Sequence, residues 1–229
     1  MASGFSGFTE ALDFLEALSD HNERDWFAAN KARYDSAVLE PALAFIVAMA
    51  GPLKRFAPEF EAVPKRMGGS LMRVHRDTRF ARDKSPYKTN IGIQFRHRAG
   101  KDVHAPGYYV HIAPDEIFLA AGLWRPEPEA LAAIRAAIVK KPSDWKKARD
   151  ATTFRRHFEI DGEALVRVPK GYPKEHPYAD DLRRKSFIAS CPLSNTVITS
   201  KAMVRDVALR FEAATPFMKF LCRAVGVRY

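Results

Sequence analysis

Residues 90–124 read "NIGIQFRHRAGKDVHAPGYYVHIAPDEIFLAAGLW", and the fold turns on their periodicity. Three runs, at 90–97, 107–113 and 116–124, are rich in β-branched and aromatic residues alternating at period two. The links between them, "RAGKDVHAPG" and "PD", carry the Gly, Pro and Asp of turns. Links this short return a strand antiparallel to the one before. With "SLMRVHR" at 70–76 read as a strand ahead of them, the segment predicts an antiparallel meander of about four strands.

Outward from the meander the period becomes helical. Ala11, Phe14, Leu15 and Leu18 fall at i, i+3, i+4 and i+7, and this helix is expected to end near "SDHN". Asn22 with Asp25 reads as a capping pair for a second helix through "RDWFAANKARYDSAV", whose Trp26, Phe27 and Tyr34 suit a core. Pro41 suits the first turn of a third helix. Its apolar face of Leu43, Ile46, Val47 and Ala50 is expected to stop at Gly51 and Pro52.

Downstream, Pro126 is expected to start a helix through Leu131, Ile134 and Ile138. "SDWKKARDATTFRRHF" predicts another, capped by Ser143. "HFEIDG" and "ALVRVP" read as two short strands, "SFIASCPL" as a third, and Ser200 as the opening of a helical pair around Thr215 and Pro216. No repeat, low-complexity tract or long linker divides the chain. The expectation over residues 1–229 is a single α+β domain, with a central, mainly antiparallel sheet flanked by N-terminal and C-terminal helices.

A chain of 229 residues that is 47% hydrophobic can bury a core without metal or disulfide staples. Its two cysteines, Cys191 and Cys222, sit in apolar contexts and read as buried thiols with no role as nucleophiles. No apolar run reaches the roughly 18–20 residues that span a bilayer, and no signal peptide opens the chain. A cytoplasmic protein without a membrane partner is expected.

The net charge of +10 is concentrated: residues 65–101 hold eleven Lys or Arg against Asp77 and Asp83, an excess of nine. At its centre lies "RVHRDTRFARDKSPYKTN", residues 73–90. Period two places Met72, Val74 and Arg76 on one face and Leu71, Arg73 and His75 on the other. Guanidinium forks match carboxylate or phosphate oxygens, and Phe80 and Tyr87 offer flat surfaces beside them. The candidate ligand-binding residues are therefore Arg73, Arg76, Asp77, Arg79, Phe80, Lys84, Tyr87 and Lys88.

Arg73, Arg76, Asp77, Arg79, Phe80 and Lys84 also fit an R-x-x-R-D-x-R-F-x-x-x-K signature. With "GYYVHIAP", "GLWRPEPEALAAIR", "RVPKGYPKEHP" and "LRRKSFIASCPLS", they give the chain a full-length resemblance to the bacterial domain of unknown function 2461 family. The resemblance implies a site at this loop and brings no activity, cofactor or catalytic residue with it.

Three partner classes compete for the basic segment: an anionic small molecule, favoured here; nucleic acid, with Phe80 and Tyr87 stacking on bases; and an acidic protein. The plainer alternative is that Arg76 and Arg79 pair with Asp77, Asp83 and remote carboxylates to hold a loop. Nucleic acid would recruit Lys170, Lys174, Arg183, Arg184 and Lys185 into one stripe, whereas a pocket would not need them. The seven histidines lack metal-binding spacing, so no metal is expected. Nor is a cofactor, since Gly68-Gly69 lacks the strand before and helix after that a nucleotide loop needs. His75 is the candidate acid or base if there is catalysis, and His111 reads as a hydrogen-bonded structural histidine.

Overall fold

The computed structural model describes residues 5–100 and 106–229, so part of the predicted link at 98–107 lies outside the described residues. The meander is its centre: β2 (Ile91–His97), β3 (Gly107–Ile112) and β4 (Ile117–Leu123) pair antiparallel in succession. Alternation decides the faces. Ile91, Ile93 and Phe95 of β2, Tyr108, Val110 and Ile112 of β3, and Leu119, Ala121 and Leu123 of β4 are all buried on one side. Each large apolar side chain contributes about 1.5–3 kcal/mol there. β1 (Phe60–Glu61), β5 (Glu159–Asp161) and β6 (Phe187–Pro192) complete a sheet of order β1-β2-β3-β4-β6-β5 in which every pairing is antiparallel. The α+β architecture is as expected.

Helices cover the core side. α1 (Ala11–Asp20) buries Ala11, Phe14, Leu15 and Leu18, the four residues its spacing singled out. α2 (Arg24–Ala29) and α3 (Lys31–Tyr34) follow, and a π turn (Asp35–Leu39) leads into α4 (Glu40–Phe56), which packs on β1 and β2. In chain order α5 (Pro128–Lys140), α6 (Pro142–Arg149) and α7 (Thr152–Arg155) follow β4, α8 (Ala179–Leu182) precedes β6, and α9 (Asn195–Ile198) follows it. That pair, α10 (Met203–Ala213) and α11 (Thr215–Ala224), closes over β4.

Several local expectations are corrected. The segment 70–76 is no regular strand. It meets the sheet at the isolated bridge Leu71–Ile93, with Met72 N–H donating to the Gly92 carbonyl and Gln94 N–H to the Ser70 carbonyl, and then leaves it to pair with the far stalk of its own loop at His75–Tyr87. Helix α4 runs through Gly51 and Pro52 and ends at Phe56, since one more turn brings Leu53 into the core. Its buried stripe is Ala42, Phe45, Ile46, Met49 and Leu53, and Val47 stays 60% exposed; the bulkier Phe45 and Met49 win the core. The helix at Pro126 begins instead at Pro128, and Lys141, not Ser143, precedes α6. A break at Asp150 and Ala151 separates α6 from α7 and lets Trp145 and Phe154 both reach the interior. "ALVRVP" forms only the bridge Ala164–Arg184, leaving Val166 89% exposed.

The unbroken helix from Lys31 to Phe56 has an 18-residue stretch of mean hydropathy 1.7, so by length and composition it could cross a membrane, against the expectation of no such run. Its buried stripe lies in the core, and the core helix of a globular domain passes the same test.

Candidate functional site

The basic segment folds as a clamped loop. Its two stalks are joined by Arg76 N–H donating to the Pro86 carbonyl at 2.9 Å and Lys88 N–H to the Val74 carbonyl at 2.8 Å. The side chain of Asn22 grips Tyr87 twice: Nδ2 donates to its carbonyl and Oδ1 accepts from its N–H, each at 3.0 Å. The Tyr87 ring is buried, stacked on Phe27 with centroids 4.0 Å apart. It is an anchor, and the expectation that it offers a stacking surface is corrected.

At the tip, Arg79 closes a fork on Asp77, with Nε at 2.9 Å and Nη2 at 2.7 Å. Asp83 accepts from the Ser85 hydroxyl at 2.5 Å, from the Ser85 N–H at 2.9 Å, and from Arg76 Nη1. Lys84 Nζ donates to the Thr78 carbonyl at 2.9 Å. The fork from Arg79 lowers the Asp77 pKa to about 2. Ser85 first and Arg76 after it hold Asp83 lower still. Phe80 projects into solvent, 96% exposed, with the Arg79 guanidinium 5.9 Å from its ring centre.

Arg73 faces elsewhere, and Lys88, which lines a cavity of about 280 Å³ with Arg76, Asp83 and Tyr87, also borders Arg73. Together with Arg66, Met67, Met72 and Arg96 they line a cavity of about 310 Å³, and no described Asp or Glu shares that lining. Burial, and secondly the nearby Arg73, lower the pKa of Lys88 below its ordinary 10.5. A tight turn returns Arg66 to this place. Gly68 has φ +68°, and a Cβ on Gly69 would come within 2.5 Å of the Val63 carbonyl oxygen. Ser70 Oγ pins the turn by accepting from the Val63 N–H at 2.9 Å. Arg96 arrives from the outward face of β2, its Nε donating to Gln94 Oε1 at 3.2 Å.

Beyond Met72 the outward face of the sheet forms a further cavity of about 380 Å³, lined by Met72, Gln94, Gly107, Tyr109, His111, Phe118, Ala120, Gly122, Trp124 and Ile188. Gly92 seats Tyr109, because a Cβ there would lie 2.8 Å from the phenol oxygen. That phenol lies 3.1 Å from His111 Nδ1, and Asn90 Nδ2 lies 3.5 Å from the same nitrogen. Burial pushes the Tyr109 pKa up to about 12 and lowers that of His111. With the phenol and the amide both directed at Nδ1, a neutral His111 carries its proton on Nε2.

Residues 10–220 match the model of a family described as a conserved hypothetical protein (DUF2461). The chain belongs to this family. No curated protein and no solved structure matches it.

In this DUF2461 protein the eight predicted residues thus separate only in part, since Arg76, Tyr87 and Lys88 share the cavity on the loop side. Arg76, Asp77, Arg79 and Lys84 bond within the loop, Tyr87 anchors it, Phe80 stands outside, and Arg73 and Lys88 meet at the cavity of about 310 Å³. Arg66 and Arg96 were not singled out beforehand, although both belong to the charge excess at 65–101. The signal that could have found Arg96 is the β2 alternation, which sets it on the face opposite Ile93 and Phe95. His75 is exposed on the stalk, 5.2 Å from the Tyr87 ring, whereas His111 borders a cavity. Both thiols are buried, and burial raises their pKa, that of Cys222 to about 12, so neither is primed as a nucleophile.

Proposed function

We propose that this DUF2461 protein is a cytoplasmic binder of a small anion bearing phosphate or carboxylate, held by Arg66, Arg73, Lys88 and Arg96. One observation carries the reading: four cations line a single cavity, and none of them takes part in an ion pair recorded among the described residues. Like charges gathered beside a half-buried lysine repel one another, and an anion relieves that repulsion while accepting charge-assisted hydrogen bonds. Arg79 and Arg76 are less suited to the task, because Asp77 and Asp83 already pair with their guanidinium groups.

Calorimetric titration with inorganic phosphate tests this. Arg73→Ala and Lys88→Ala are each expected to weaken binding by about tenfold or more, since a hydrogen bond to a charged group contributes about 1.5–3 kcal/mol. Arg79→Ala should bind as the wild type does. Loss of binding in Arg79→Ala with Arg73→Ala unaffected would return the site to the loop tip. Nucleic acid is the second reading, favoured by Phe80, whose ring lies open to solvent beside Arg79.

A further inference from the structure

The cation cavity and the open face of the sheet adjoin. Met72 lines both. Arg96 stands directly opposite Gly107 in the β2–β3 register, and Gly107 stands opposite Gly122 in the β3–β4 register. Neighbouring strands lie about 4.8 Å apart, so a cation of the first cavity sits one strand from the floor of the second. That floor is bare. A side chain at Gly107 would project into the space, meeting the Gln94 amide at 3.3 Å. Gly122 is demanded by the fold alone, since its φ is +132° and a Cβ would strike the Phe187 carbonyl at 2.0 Å; the bare strip is nonetheless there.

The walls have a different character from the cation cavity. Phe118, Tyr109, Ile188 and Trp124 present apolar surface, and polar groups enter through Gln94 and His111. Trp124 is about half exposed at the rim, with the Arg125 guanidinium 4.9 Å from its ring centre. A space of about 380 Å³ falls in the range of small-molecule sites, which are mostly apolar with a few placed polar groups. Its flat floor and aromatic walls suit a planar ring. At its Met72 end it meets the cation cavity.

We propose that the two cavities are one elongated site for a monophosphate ester of a planar ring, an aryl or nucleoside monophosphate. The phosphate lies among Arg73, Lys88 and Arg96, and the ring lies over Gly107 and Gly122 with Trp124 at its edge. This rests on the anion reading above, and it adds what the anion is attached to.

Three probes test it by calorimetry: inorganic phosphate, phenyl phosphate and adenosine 5′-monophosphate. Ring stacking on aromatic side chains adds about tenfold or more to affinity, so both esters should bind at least that much more tightly than inorganic phosphate. Trp124→Ala should remove much of the gain and leave inorganic phosphate binding unchanged, whereas Arg73→Ala should weaken all three probes. In amide NMR spectra, Gly107 and Ile188 should shift with phenyl phosphate and stay in place with inorganic phosphate. If all three probes bind equally, the ring site is overturned and the anion site stands. If the esters bind in a manner that needs Trp124 but ignores Arg73, the anion reading falls and the ring surface remains. If none binds, both fall.

Discussion

At the scale of single residues, two acids decide what the loop's arginines do. Asp77 takes the fork of Arg79 and Asp83 one nitrogen of Arg76, whereas the turn at Gly68 and the alternation of β2 bring together, from farther apart, cations that no carboxylate among the described residues pairs. The Asp77 pair has a pH signature. Its folded carboxyl, at about 2, lies below its ordinary 3.8, so the stabilisation of the loop is complete above the ordinary value and is lost as pH falls through about 2. A carbon-detected NMR titration should place Asp77 near 2 in the wild type and closer to 3.8 in Arg79→Ala; an ordinary midpoint in the wild type would mean that the fork does not persist in solution. Because both groups are exposed, the pair should matter little to global stability. Part of this was legible in sequence. Alternation exposed Arg73 and His75 and kept Val74 and Arg76 on the more sheltered side, but it fails at Leu71, which it sets on the outer face and which is buried against Ile93. The pairing of each arginine was not legible, since it depends on where a loop bends, and neither was Arg66, which reaches the cavity only through a glycine turn. His111 was read as a hydrogen-bonded histidine and has Tyr109 as its neighbour, but its place beside a cavity follows from Gly92, whose missing side chain lets the phenol lean across.

Among elements, the informative misreading is Asn22. Its spacing to Asp25 reads as a helix cap, yet Glu23 takes the N-cap position of α2 without a side-chain bond, and Asn22 reaches sixty-five residues onward to Tyr87. A side-chain amide presents a donor and an acceptor side by side, which matches the carbonyl and N–H of one residue, and a local pattern cannot foresee a partner so remote. The clamp ties α2's approach to the loop stalk. Asn22→Ala should therefore cost about 1–3 kcal/mol, because it strands two sheltered backbone groups, and it should speed amide exchange at Tyr87 and Lys88 while leaving β3 and β4 protected. Urea unfolding and hydrogen exchange check the two halves, and unchanged exchange at Tyr87 would show that the Phe27 stack suffices. The meander, α1 and the C-terminal pair were legible because each carries its own period over several turns or pleats. The strand at 164–169 was not, since alternation shows a face to bury and cannot say whether a partner edge is free. The passage of α4 through Pro52 was hidden for a related reason: propensity marks the break, and burial of Leu53 overrides it.

For the molecule as a whole, the question is how much of the +10 charge is available to a long polyanion. The second basic cluster was expected to join the first if nucleic acid were the partner. Its side chains are largely engaged: Arg183 with Asp180 at 2.6 Å, Arg184 with Asp181 at 2.9 Å, and Lys185 with Glu163 at 3.0 Å. Asp181 is fully buried and also accepts from Trp145 Nε1 at 2.7 Å and from Arg149. Trp145 and Arg149 of α6 thereby hold Asp181 of α8, and truncating Arg184 would leave this buried carboxylate short of a partner. Lys170 and Lys174 remain for a stripe, along with the exposed Arg82 of a loop tip whose Arg76 and Arg79 are already paired. A nucleic-acid backbone tracked by many bases releases a counterion at each phosphate, and log K then falls by about 0.7–0.9 per contact for each unit of log salt. A monophosphate among three or four cations should give a total slope of about 2 or less on the same basis. The measurement is a salt series with labelled single- and double-stranded oligonucleotides, run beside phenyl phosphate as the small anion. Weak oligonucleotide binding near about 150 mM salt, displaced by the monophosphate, is the expected result, whereas submicromolar binding with a slope of about five contacts or more would assign the surface to nucleic acid. Phe80 separates the two outcomes: Phe80→Ala should leave the monophosphate affinity unchanged, and it should weaken oligonucleotide binding only if that exposed ring stacks on a base.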